Sequence, residues 1–276
     1  MQNVLLIYDN FSDVATLSGG SFVPALPLNN LKVPEPYKVA RTTNTLLSST
    51  QFSVSLGGPR AMKAIVIGPT NLSTAHKYRI SGTGFDTGWS TGLARAEWNT
   101  LPWDDPDFWT GLTPWDDDER GIWIIHVFDT PVVAKNWLVE IDDQLNADGY
   151  IDLGRLVMGR AWQPSFNFVY GNNGLAFRDN SLRASTLSGG EKIWRRVNPR
   201  VFNLAFDYLP DEEMYRDGYD FQRIAGYDGQ VFVIPDPDNI ETRQRRSFLA
   251  TVTRPDPLAQ VTFGRSSTAF ELKEII

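Results

Sequence analysis

Between residues 98 and 123 the chain reads WNTLPWDDPDFWTGLTPWDDDERGIW. Five of its nine tryptophans and seven carboxylates fall in this stretch, and PWDD occurs twice, at 102–105 and 114–117. Indole faces stack on pyranose rings, and nearby carboxylates accept hydrogen bonds from sugar hydroxyls. Trp103, Trp109 and Trp115, with Asp104 and Asp116, are therefore candidate ligand-binding residues. The ligand would be a sugar or a docked protein, because tryptophan also anchors protein interfaces. The other reading is a long acidic insertion between strands, held to the sheet by its tryptophans, since tryptophan is highly buried on average. The sequence leaves these readings open.

Other chemistries find less support. Calcium needs six to eight oxygens at set spacing, and neither DDPD nor DDDE has that spacing. DDQLNADG (142–149) comes nearer but lacks the bidentate glutamate, and a turn explains it as well. No metal site and no cofactor is expected. The two histidines, His76 and His126, stand outside any metalloprotease, hydrolase or phosphate-loop motif. A glycosidase pair among so many acids is defined by separation in space and cannot be read from spacing. The chain is not expected to be an enzyme, and no catalytic residue is assigned.

A basic group stands out in the C-terminal half: Arg195, Arg196 and Arg200, then Arg243, Arg245 and Arg246. One reading is a solvated strand edge whose charges deter pairing. The other makes Arg195, Arg196, Arg243, Arg245 and Arg246 a subunit interface facing an acidic neighbour, where charge sets register and orientation.

These residues sit on a chain of 276 residues, long enough for one large or two ordinary domains. Its net charge of −7 makes it a poor binder of phosphate backbones, so nucleic-acid recognition is not expected. Without cysteine it has no disulfides, thiolate zinc sites or cysteine nucleophiles. MQNVLLIYDN reads as a strand rather than a signal peptide. No run approaches the ~18 apolar residues of a membrane helix.

Short β-like runs dominate the pattern: 3–8, 51–56, 63–68, 77–82, 122–128, 136–141, 150–159, 200–209, 230–235, 246–253 and 268–275. In QFSVSL, Phe52, Val54 and Leu56 alternate with Gln51, Ser53 and Ser55, as in a half-buried strand. LGGPR (56–60), IGPTN (67–71), NADGY (146–150) and PDPDN (235–239) read as turns. NWLVEI and YIDLGRL, joined by a turn-rich linker, read as a hairpin. One helix is expected after Pro210, with Asp211, Glu212 and Glu213 in its first turn and Gly226 closing it. The chain is thus predicted to be all-β, in two domains at 1–162 and 163–276, with residues 1–10 assignable to either.

SFVPALPLNNLKVPEPYKVART, STQFSVSLGGPRAMKAIVIG and NWLVEIDD…DGYIDLGRLVMG occur in an order that resembles a discoidin-like, galactose-binding-like jelly roll. Over nearly the whole chain, RRVNPRVFNLAFDYLPDEEMY, GQVFVIPDPDN, RRSFLATV and TAFELKEI resemble tail proteins of long-tailed bacteriophages and prophages, similar in role to distal tail or tail-tip proteins. The motifs that carry this resemblance are structural and none is catalytic. The resemblance implies a jelly-roll sandwich followed by a ring-forming β domain with one helix. It implies a homo-oligomer, a hexamer by analogy, in the virion tail tip, made in the host bacterial cytoplasm. The partners would be tail tube, hub and tape-measure proteins. A second expectation, on the same jelly roll, is a carbohydrate-binding protein for host attachment.

Overall fold

The computed structural model describes residues 2–91, 103–104, 121–169, 171, 173–185 and 189–276. Its strands, in chain order, are β1 (Leu5–Asn10), β2 (Thr16–Ser18), β3 (Ala40–Arg41), β4 (Phe52–Thr70), β5 (Lys77–Gly82), β6 (Phe85–Asp86), β7 (Ser90–Thr91), β8 (Ile122–Asp142), β9 (Asp152–Val157) and β10 (Gly159–Trp162). They continue as β11 (Gly174–Phe177), β12 (Leu182–Ser185), β13 (Glu191–Trp194), β14 (Arg200–Pro210), β15 (Gln230–Ile234), β16 (Phe248–Pro255), β17 (Ala259–Thr262) and β18 (Arg265–Glu274). All pairings named among them are antiparallel. The fold is all-β: an antiparallel sandwich domain and a second β domain carrying one 15-residue helix.

Two compact units form. One spans Phe11–Met158 with Ile240–Gln244; the other gathers Gly159–Asn239, Arg245–Ile276 and the N-terminal strand. The first is the sandwich. Its sheet runs β3-β9-β4-β8-β5-β6, with β2 beside β4 and β7 beside β5. Phe52, Val54, Trp137 and Val139 come from one half of the β4–β8 ribbon; Ile65, Ile67 and Ile124 come from the other. All seven lie in one buried cluster with Leu153 and Leu156, so the sheet folds over on itself. The alternation in QFSVSL holds: Phe52, Val54 and Leu56 are buried, while Ser53 is exposed.

Two expectations are corrected here. LGGPR lies within β4, which runs through 19 residues, and does not end a strand. The pairing of β4 with β8 breaks between Ser55 and Arg60 and again between Met62 and Ala64. Both strands bend together at these irregularities, so one long ribbon serves both layers. The NWLVEI–YIDLGRL hairpin is also absent, because β8 there is already flanked by β4 and β5. Strand β9 instead pairs with the far half of β4 and with β3. The linker between them is held by donors of the protein. Asp143 accepts hydrogen bonds from the Ser73 N–H (2.7 Å), the Ser73 hydroxyl (2.5 Å) and the Asn146 amide (2.9 Å).

The helix-bearing unit is built on a sheet ordered β10-β1-β15-β16-β18-β14-β11, with β17 beside β18. Strand β1 lies between β10 and β15, pairing Leu6 with Trp162 and with Val233. Pro210 precedes helix 211–225, and the acids of its first turn suit the helix N-terminus. Its middle turn, Met214–Gly218, is π-helical. Met214, Gly218, Phe221 and Ala225 form the buried face. A side chain at Gly218 would meet the Met214 sulfur at 2.8 Å and the Trp162 ring at 3.5 Å. Gly226, at φ +48°, ends the helix in a conformation that favours glycine. A short helix, Ile240–Arg246, whose first five residues belong to the sandwich unit, occupies a stretch read as loop and strand edge.

Candidate functional site

The sandwich carries an open groove on the outer face of β4, β8 and β5. Phe52 pairs with Val139 and Val54 with Trp137, all pointing inward, so the intervening residues face out. Ser18, Ser53, Ser55, Ser81, Thr83 and Asn136 supply most of the polar lining of a groove of about 570 Å³. The Ser55 hydroxyl donates to the Asn136 side-chain oxygen at 2.8 Å. Trp137 forms part of the floor but is 1% exposed, so its face cannot stack on a ligand. On the same strand face as Ser81, Arg79 donates to Asp86 (Nε to Oδ1, 2.9 Å) and lies 3.6 Å from Glu140. The Arg79 hydrogen bonds hold the Asp86 carboxyl down at about 2, so this charged flank persists at all working pH. The groove can present hydroxyls and an amide to a polyol.

A second polar cluster lies on β5 and β8. The Tyr78 hydroxyl and His126 Nδ1 are 3.1 Å apart, with their rings edge-on at 5.7 Å. Burial first, then the positive charge of Arg243, pushes His126 down to about 4. The ring is therefore neutral at pH 7, and the 3.1 Å contact is a neutral hydrogen bond whose direction follows the imidazole tautomer. Burial also lowers His76, which is fully buried. Both histidines bind a proton more readily when unfolded. Stability is thus complete above pH ~6.5 and falls as pH drops from there toward about 4. Urea midpoints measured between pH 7.5 and 4.5 are expected to decline, and His126→Phe should flatten that decline. An unchanged slope would refute this assignment.

The helix-bearing unit offers a different surface. Strands β12 and β13 form a two-stranded sheet of their own, pairing Leu182 with Trp194 and Arg183 with Ile193. Every strand residue in it is exposed, including Leu182 (51%), Ile193 (50%) and Trp194 (46%). Strand β11, beside β14 at the edge of the main sheet, is exposed along its length. An isolated hairpin is marginal in water, and apolar side chains on one mark a contact surface.

The residues singled out from sequence are distributed as follows. Trp103 is 74% exposed and Asp104 is exposed beside it, in a turn. Trp109, Trp115 and Asp116 lie outside the described residues. Arg195 and Arg196 are exposed directly after β13. Arg243 is half-buried near Tyr78 and His126 in the sandwich unit. Arg245 is exposed, and Arg246 lies 3.8 Å from Asp236. Arg200 is no surface charge; it is buried against Glu274. Arg200 is thus set apart from the exposed Arg195, Arg196 and Arg245. Leu182, Ile193 and Trp194 were not singled out. The signal for them was short: two four-residue strands on either side of the sequence TLSGG, with a tryptophan in a basic stretch.

No protein-family model and no curated protein matches the chain. Among solved structures, the family 32 CBM from C. perfringens NanJ in complex with galactose aligns with a TM-score of 0.38 at 16% identity, covering 56% of this chain and 99% of that one. CBM32-1 from a family 31 glycoside hydrolase from Clostridium perfringens aligns with a TM-score of 0.37 at 9% identity, covering 55% and 99%. Likenesses this loose bear on neither fold nor ligand; the sandwich assignment rests on strand pairing and the buried cluster.

Proposed function

We propose that the chain is a structural subunit of a bacteriophage tail tip. It would assemble with copies of itself into a ring or collar joining tail tube to baseplate or hub. It acts by shape and complementary surface, without a covalent step. The observation that carries this reading is the β12–β13 hairpin, which exposes Leu182, Ile193 and Trp194 on strands that pair with each other alone among the described residues. Ordering such a hairpin costs conformational entropy that burial against a partner offsets. The tail-protein resemblance, which runs over nearly the whole chain, supports this setting: a virion component made in a bacterial cytoplasm. Negative-stain images of the purified chain should show closed particles of uniform diameter. A field of single chains only would overturn the proposal.

A second reading, glycan binding by the sandwich for host attachment, is favoured by the hydroxyl-lined groove at Ser53, Ser81 and Asn136. Exposed Trp103 would add a stacking face. On a glycan array the chain should then retain a defined set of sugars, and Ser53→Trp, which fills the groove, should abolish retention. An array without signal removes this reading and leaves the first untouched.

A further inference from the structure

The helix-bearing unit has a second exposed apolar feature. The turn from β17 to β18 leaves Phe263 entirely in solvent and Val261 half exposed. With Asp211, Gln260, Thr262 and Gly264 they line an open groove of about 390 Å³ at the start of helix 211–225. The helix that begins there is rich in acids, and Arg265, which follows Gly264 and donates to the Tyr208 carbonyl, is the base beside the groove. Asp207 and Glu212 are exposed, and residues 211–225 carry five acids against two bases. Residues 182–196 carry four bases against one acid. At the end of that hairpin Lys192 Nζ sits 5.0 Å from the Trp194 ring centroid, and Arg195 and Arg196 follow.

Resting on the reading of the chain as a self-assembling subunit, we propose that Trp194 and the basic end of the hairpin of one copy seat in the Val261–Phe263 groove of the next copy. Arg195 and Arg196 then face Glu212 and Asp207. The occupant is a second copy because a basic aromatic projection and an apolar groove at the start of an acid-rich helix both belong to this one chain. The aromatic pair supplies the anchor, and the opposite charges set direction. Two different patches in contact make a head-to-tail interface, which closes into a ring when the rotation per subunit divides the circle.

The test uses two full-length variants, Trp194→Asp and Phe263→Asp, at exposed positions where folding should survive; far-UV circular dichroism checks that it does. Each alone should sediment at the mass of one chain. Mixed, they should form particles of two chains and no larger, because the first variant still offers the groove and the second still offers the hairpin. If both are single chains and the mixture stays so, the hairpin meets some other surface, and this proposal falls while self-assembly stands. If Trp194→Asp assembles like the natural chain, the hairpin is not the contact. If the natural chain is itself a single chain, the self-assembly reading fails as well.

Discussion

Glu274→Ala is expected to lower the unfolding free energy of the helix-bearing unit by about 3–5 kcal/mol, the cost of leaving one partner of a buried ion pair alone. Glu274 closes β18 and Arg200 opens β14, and both side chains are almost wholly buried. Arg200 Nε donates to Glu274 Oε1 at 2.9 Å, Nη2 donates to the same oxygen, and the Arg200 backbone N–H donates to Oε2 at 2.8 Å. Nη1 donates to the Arg245 carbonyl at 2.7 Å, and the guanidinium lies 4.8 Å from the Phe248 ring centroid. Removing the carboxylate strands a cation that cannot lose its proton. Replacing both residues together, Arg200→Met with Glu274→Leu, should recover part of the loss, because the stranded cation is gone while the Arg200 N–H and the Arg245 carbonyl lose these partners. Urea unfolding curves of the single and double variants decide it. A Glu274→Ala midpoint equal to that of the natural chain would show that the pair contributes nothing.

Phe221→Ala should cost a similar amount, roughly 3–5 kcal/mol, from lost transfer energy and the cavity left behind. Phe221 is fully buried, and its ring lies 5.3 Å from Tyr8, 5.6 Å from Trp162 and 4.9 Å from Phe270. It thereby ties helix 211–225 to β1, β10 and β18. The exposed Tyr215 and Tyr219 on the other side of the helix provide the contrast. Changing either to alanine should shift stability by no more than about 0.5 kcal/mol. Thermal melts of the three variants test the assignment of faces, and equal effects would contradict it.

What sequence could convey is visible in these same elements. The helix could be read because its signals are local: Pro210, three acids in the first turn, and Gly226 at the end. The alternation in β4 could be read because each strand face has its own solvent. Partner choice was not local. Nothing within NWLVEI shows that β4 and β5 already flank it, so the expected hairpin with β9 gave way to a crossover between layers. Gly-Gly-Pro reads alike as a turn or as a bend within a continuous strand. Among the arginines, charge alone could not separate Arg200, buried by Glu274, from Arg195 and Arg196 in solvent. The hairpin escaped notice because its four-residue strands bury neither face and so leave no hydrophobic period. That same lack of a buried face now makes it the candidate contact.

Sedimentation equilibrium of the purified full-length chain is the decisive measurement. A scaffold built from repeated copies should give one discrete mass that is a whole multiple of 31.1 kDa and persists on dilution into the micromolar range. A single species at 31.1 kDa, unchanged as concentration rises, would contradict it.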